Sequence, residues 1–210
     1  MNWEKVQGKF IVLDGPDGCG KSTQVRLLAE VLEQTGIETI SLRDPGGTNI
    51  GEQIRQILLR NDNQAMSVRC EALLYMASRA QLYEESIKPA LAAGKCVICD
   101  RWLSSTYAYQ AVAGKIGVEW LEQLAAASLE RIWPDMTIII DVPSETGLQR
   151  VGPIPDRMEE KSADFHQRVR QAFGDLARTH RGFGVIDGTG TIEQVHRRVL
   201  ELIENEYVDT

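Results

Sequence analysis

No apolar run in this 210-residue chain approaches the length that a membrane-spanning helix needs. Basic residues are in the minority. The 23 Lys and Arg are set against 30 Asp and Glu, for a formal net charge of -7. Nothing resembles a basic arm or stripe, which excludes nucleic acid as a main partner. The opening residues Met1-Asn-Trp-Glu-Lys5 do not read as a signal peptide, so a cytoplasmic location is expected. Internal repeats, low-complexity tracts and long linkers are missing too. That points to one domain over residues 1–210, with at most a small mobile insertion.

Cysteine is scarce: Cys19, Cys70, Cys96 and Cys99. Cys96 and Cys99 have the CxxC spacing. On an alternating strand they face opposite sides, which argues against a shared metal or a disulfide. They read as small core residues in a reducing compartment. Cys19 stands apart as the candidate for an oxidisable thiol. What the chain does have is ordinary core material, 43% hydrophobic and 25% charged.

The chain is organised around Phe10 to Gln24. An apolar run, Phe10 to Leu13, predicts a buried parallel strand. Gly15-Pro-Asp-Gly-Cys-Gly-Lys-Ser22 follows, and a helix begins near Lys21 with its apolar stripe at Leu27, Leu28, Val31 and Leu32. Glycine, four residues and then Gly-Lys-Ser is the phosphate-binding P-loop pattern, here in its required strand-to-helix setting. Gly15, Gly18 and Gly20 let the backbone approach a phosphate closely. The N–H groups of the loop and of the helix start, through Thr23, then face phosphate oxygens. Lys21 would reach the β- and γ-phosphates, and the Ser22 hydroxyl would meet Mg²⁺, which prefers oxygen ligands.

Downstream the pattern alternates strand and helix, which predicts an α/β domain with a parallel sheet covered on both faces. Gly36 marks the end of the first helix. A second strand is expected over Ile37 to Leu42, followed by the turn-rich loop Arg43-Asp-Pro-Gly-Gly-Thr48. Open α/β sheets bind ligands at such strand ends, and Arg43 is placed to grip an anion. Helices are expected over Ile50 to Leu59 and Ser67 to Ala93, the latter bent near Pro89. The second of these is apolar on more than one face, which predicts a buried helix or a subunit interface. A third strand ends in Asp100-Arg101. A carboxylate there is the expected Mg²⁺ partner, and Arg101 follows where an anion can sit. The next helix, Leu103 to Val112, carries Ser104, Ser105, Tyr109 and Gln110, with 105 and 109 on one face. A fourth strand spans Met136 to Ile140. A Gly/Pro-rich tip at about 150–160, bearing Arg150 and Arg157 between two helices, suits a mobile lid. Val185 to Asp187 is the fifth strand, and a terminal helix follows.

The order of these motifs resembles thymidylate kinase, the dTMP kinase family of P-loop nucleoside-monophosphate kinases. The P-loop alone is unspecific. Its combination with Arg43-Asp-Pro-Gly-Gly-Thr48, Asp100-Arg-Trp102, Ser105-Thr-Tyr-Ala-Tyr-Gln110, Asp156-Arg-Met-Glu159 and the Asp187-Gly-Thr segment is specific. The resemblance implies a three-layer P-loop kinase fold with a five-stranded parallel sheet and a short lid, usually a homodimer. It implies the reaction ATP + dTMP to ADP + dTDP, with Mg²⁺. On this resemblance Asp17 would contact the sugar 3′-hydroxyl. Arg43 and Arg101 would hold the monophosphate. Tyr75 would stack on thymine, with Arg79 on its carbonyl edge. Ser105 and Gln110 would complete the pocket beside Tyr109. A dimer would form through Ser67 to Ala93 and near Tyr107.

Three positions depart from the family's pattern. Asp14 and Asp44 stand where glutamate is usual, and Tyr75 where phenylalanine is usual. Inside the P-loop only Lys21 is positive. The lid therefore becomes the source of the further cation that phosphoryl transfer needs. Arg150 is the favoured catalytic cation. Arg157, beside Asp156 and Glu159, is expected to be tied up in the lid's own structure and is the alternative. A kinase for another nucleoside monophosphate stays open. The Arg43 loop speaks against a nucleoside acceptor. The lack of a guanine-reading Asn-Lys-x-Asp motif speaks against a regulatory NTPase.

Overall fold

The computed structural model describes residues 3–207. Five parallel strands form one sheet in the order β2-β3-β1-β4-β5. They are β1 (Phe10–Asp14), β2 (Thr39–Arg43), β3 (Cys96–Asp100), β4 (Met136–Asp141) and β5 (Phe183–Asp187). The central strands are buried on both faces, as their unbroken apolar runs require. Alternation assigns their side chains. Ile11, Leu13, Cys96, Ile98, Ile138 and Ile140 pack under α1 (Lys21–Gln34) and α9 (Ile192–Tyr207). Phe10, Val12, Val97 and Cys99 face the opposite layer, so Cys96 and Cys99 lie on opposite sides of the sheet.

That second layer holds α2 (Asn49–Leu59), α3 (Val68–Leu82), α4 (Lys88–Ala92), α5 (Leu103–Thr106) and α6 (Val118–Ser128). Beyond them come α7 (Ser144–Arg150) and α8 (Ala163–Thr179), joined by residues 151–162. Among the described residues no helix is long and apolar enough to cross a membrane.

Local departures have local causes. The second strand starts at Thr39 rather than Ile37, because Ile37 completes the cap of α1. Its N–H bonds to the Leu32 carbonyl and that of Gly36 to Glu33, with Gly36 left-handed at φ 83°. The long helix expected over Ser67 to Ala93 contains a π turn at Tyr83–Ile87, where the Lys88 N–H reaches Tyr83. The next residue, Pro89, has no N–H to donate, so the ladder is already interrupted there. A second π segment, Tyr107–Ala113, continues α5 and carries Tyr109 and Gln110.

Two strands meet at the point that matters. From β1 the chain passes to β2 and β3 on one side, then to β4 and β5 on the other. The crevice at the carboxyl ends of β1 and β3 is the topological switch point, where open α/β sheets bind ligands.

Candidate functional site

A cavity of about 740 Å³ opens there. It is lined by the phosphate loop from Asp17 to Thr23, by Arg43, Asp44 and Arg55, by Tyr75 and Arg79, and by Asp100, Arg101, Ser105, Tyr109 and Gln110. From the lid side come Arg150, Asp156, Met158 and Glu159. All of the expected site residues except Gly15 and Arg157 therefore line one cavity.

The loop around Lys21 owes its shape to glycine. Gly15, Gly18 and Gly20 all have positive φ, at 140°, 69° and 95°. The Lys21 ammonium is buried and donates to the Gly15 and Pro16 carbonyls at 3.2 and 2.7 Å. It also lies 3.3 Å from Cys19 Sγ. Burial pushes the Cys19 thiol up despite Lys21 and Arg101 nearby. The thiolate that oxidation needs is therefore disfavoured, against the expectation of an oxidisable group.

Asp14, the shortened carboxylate, is fully buried at the end of β1. It accepts from the Gly15 N–H, from the Ser104 and Ser105 hydroxyls at 2.5 and 2.7 Å, and from Arg101 at 3.4 Å. One serine hydroxyl thus meets each carboxylate oxygen. Ser105 is thus committed to Asp14 and Arg101 as well as lining the cavity.

Arg101 has φ 71° at the strand end, which turns its side chain back over the phosphate loop. It donates to Gly15 O, Ser105 Oγ and Asp17 Oδ1, the last at 2.5 Å. Asp17 Oδ2 accepts from Tyr109 at 2.7 Å. Burial opposes the Asp17 charge, yet Arg101 and Lys21 outweigh it and hold the carboxyl below its usual range. Arg43 is half-exposed and pairs with Glu52 at 2.8 Å. Arg55 was missed in the sequence. It is half-buried on α2, and its Nη1 bonds the Pro45 carbonyl at 3.0 Å at the cavity wall.

At the far end Arg79 is 1% exposed. Its Nε bonds Asp44 at 2.7 Å, and one Nη2 serves both Trp102 O and Thr106 Oγ1. Its Nη1 is buried with no hydrogen-bond partner. Tyr75 stands one turn away on the same helix and lines the same wall.

Ser22 Oγ lies 2.5 Å from Asp100 Oδ2. A hydroxyl and a carboxylate at a phosphate loop are hard oxygen donors, and they fit Mg²⁺, which takes few protein ligands and completes its shell with water and phosphate. Among the described residues no cluster of three or more His, Cys, Asp or Glu forms an all-protein cage.

The lid separates its two arginines. Arg150, at the end of α7, is exposed, lines the cavity and makes no ion pair among the described residues. Arg157 does not line the cavity. Its guanidinium is fully buried, with Nε on the Leu58 carbonyl at 2.7 Å and Nη1 2.6 Å from Glu71 Oε2. The expected partners Asp156 and Glu159 bond backbone amides of their own turn instead. Arg157 is therefore held outside the cavity by Leu58 and Glu71, and the structure does not bring it to the site as the alternative catalytic cation.

A family model described as Thymidylate kinase matches residues 13–199. The thymidylate kinase of Fervidobacterium nodosum is 42% identical over 200 residues, 95% of this chain and 100% of its own. That of Symbiobacterium thermophilum is 43% identical over 197 residues, 93% of this chain and 92% of its own. The crystal structure of thymidylate kinase from Ehrlichia chaffeensis matches with a TM-score of 0.78 at 32% identity, covering 94% of this chain and 99% of that one. The chain belongs to the thymidylate kinase family.

Proposed function

We propose that the chain transfers the γ-phosphoryl group of ATP to the phosphate of dTMP, giving ADP and dTDP. An oxygen of the dTMP phosphate forms the new bond to Pγ, and the bond from Pγ to the β,γ-bridging oxygen breaks, leaving ADP. The acceptor phosphate is already a nucleophile, so no covalent intermediate or general base is needed. The work left to the protein is alignment and charge neutralisation.

One observation carries the choice of acceptor. The same cavity that holds the phosphate loop is lined at its far end by Arg79, whose buried Nη1 donor has no hydrogen-bond partner among the described residues, and by Gln110, whose Nε2 is bonded to Glu71 and whose Oε1 is left to accept. A thymine imide edge offers their complements, a carbonyl oxygen and N3–H, and the Tyr75 ring supplies a stacking face. On this reading Lys21 and the loop amides hold the ATP phosphates, and Arg150 covers the transferring group. Arg43, Arg55 and Arg101 surround the acceptor phosphate. Asp17, aligned by Arg101 and Tyr109, takes the sugar hydroxyl. Ser22 and Asp100 would hold Mg²⁺, which when bound neutralises phosphate charge. Closure of the 151–162 lid excludes water and so suppresses ATP hydrolysis.

A cytoplasmic homodimer belongs to the same reading. Ile50, Ile57 and Leu73 are large exposed apolar side chains on the packed pair α2 and α3, and a second copy would cover them. A coupled ADP-release assay over dTMP, dUMP, dCMP, AMP and GMP tests the activity. Turnover with dTMP and little with AMP or GMP is expected; equal use of all would overturn it.

A further inference from the structure

Glu71 lies behind the base end of the cavity, on the first turn of α3, and is 3% exposed. Its two oxygens have different partners. Oε1 accepts from Gln110 Nε2 at 2.7 Å. Oε2 lies 2.6 Å from Arg157 Nη1, whose Nε is fixed on the Leu58 carbonyl. The guanidinium contact is an ion pair without an aligned hydrogen bond, since Nη1 has no acceptor in line. It still holds the carboxylate in place from the lid side.

We infer that Glu71 is a positioning residue that sets which end of the Gln110 amide faces the base, and thereby makes the site selective for pyrimidines carrying N3–H. The inference rests on the dTMP reading. A glutamine amide can present either its carbonyl or its NH₂ to a ligand, and the two choices recognise opposite edges. A carboxylate paired with an arginine only accepts. It therefore captures the Nε2 end; Gln110 lines the cavity, and Oε1 is the end left to meet a ligand, with no donor to it among the described residues. Oε1 accepts N3–H from thymine or uracil. Cytosine offers a lone pair at N3 and an amine at C4, so it would set acceptor against acceptor at Gln110 and donor against donor at Arg79. Buried groups left unpaired in this way are what gives a hydrogen-bonding site its large discrimination. Arg157 ties this orientation to the lid turn, so the base reader and the lid share one buried carboxylate.

The test compares kcat/KM for dTMP and dCMP in the native chain and in Glu71→Gln. The new amide can donate to or accept from Gln110, which frees Gln110 to present either end. The dTMP/dCMP ratio should fall by at least about tenfold, the scale of one lost discriminating hydrogen bond. A loss shared equally by both substrates, with the ratio unchanged, would mean that Glu71 only supports the fold and would overturn the inference. Should that variant not fold, the Gln110 side-chain NH₂ in the native chain decides. Held on Glu71, it should resist solvent exchange and keep its NMR shift when dTMP binds; a large shift on binding means the amine faces the base and the inference fails. If the native chain does not phosphorylate dTMP at all, it is the underlying reading that has failed, which the first assay shows separately.

Discussion

Gly147 and Asp17 touch backbone to backbone. A Cβ on Gly147 would stand 2.2 Å from the Asp17 carbonyl oxygen, and one on Gly18 would stand 1.9 Å from the Gly147 carbonyl oxygen. The helix that ends in Arg150 thus rests directly on the tip of the phosphate loop, and only glycine allows so close an approach. Gly147→Ala forces α7 outward and carries Arg150 with it. Misplacement of a catalytic group by about 1 Å costs on the order of 10²-fold in rate. The kcat of this variant should fall by about ten- to a hundredfold with little change in the KM for dTMP. An unchanged kcat would show that α7 does not set the position of Arg150.

Lys21→Ala should lower turnover by about 10²- to 10³-fold and leave the fold intact. Among the described residues its ammonium bonds only its own loop, at Gly15, Pro16 and Cys19, so few tertiary contacts depend on it. Loss of one preorganised phosphate donor costs about 3–4 kcal/mol at the transition state. Near-native rates together with a native circular dichroism spectrum would refute the role.

The two lid arginines should separate by the kind of damage. Arg150→Ala should lower kcat by orders of magnitude at unchanged urea midpoint, because the side chain is exposed and unpaired among the described residues. Arg157→Ala leaves Glu71 buried without its ion pair, and that should cost about 3–5 kcal/mol of stability. Urea titration and steady-state kinetics on both variants decide. Equal stability of Arg157→Ala and native would contradict the buried pair.

Asp17 gives a pH signature. Its carboxyl is held below the usual 3.8 in the fold: burial opposes its charge, but Arg101 and Lys21 prevail. A depressed folded pKa contributes stability that is present above the unfolded value and lost as pH falls through the folded one. The stability difference between native and Asp17→Asn should be constant near neutrality and shrink once pH falls below about 4. A difference that stays constant on acidification would mean that the charge contributes nothing.

The proposed dimer is tested by sedimentation at micromolar concentration. A species at twice the 23.4 kDa chain mass is expected, and Leu73→Glu, on the exposed face of α3, should shift it toward monomer. A monomer alone in the native sample would remove the dimer from the reading.

The sequence by itself determined the frame and the chemistry at the sheet's carboxyl edge. Strand periodicity, the glycines at fixed offsets in Gly15 to Ser22, and carboxylates ending β1 and β3 are all local signals, and local signals survive without knowing what packs against them. They place the phosphate loop, the succession of strands along the chain, and Ser22 and Asp100 as the two oxygen donors; the sheet order and the contact between those two residues are tertiary. Tertiary structure alone decided the rest. The departure of Arg157 from its neighbours Asp156 and Glu159 depends on Glu71, 86 positions earlier in the chain. Gln110 gains a fixed orientation only because the same carboxylate reaches it across the interior. Arg55 enters the cavity wall because Pro45 turns a carbonyl toward it. A buried charge must find its partner in space, whatever the sequence spacing, because leaving it unpaired costs several kcal/mol.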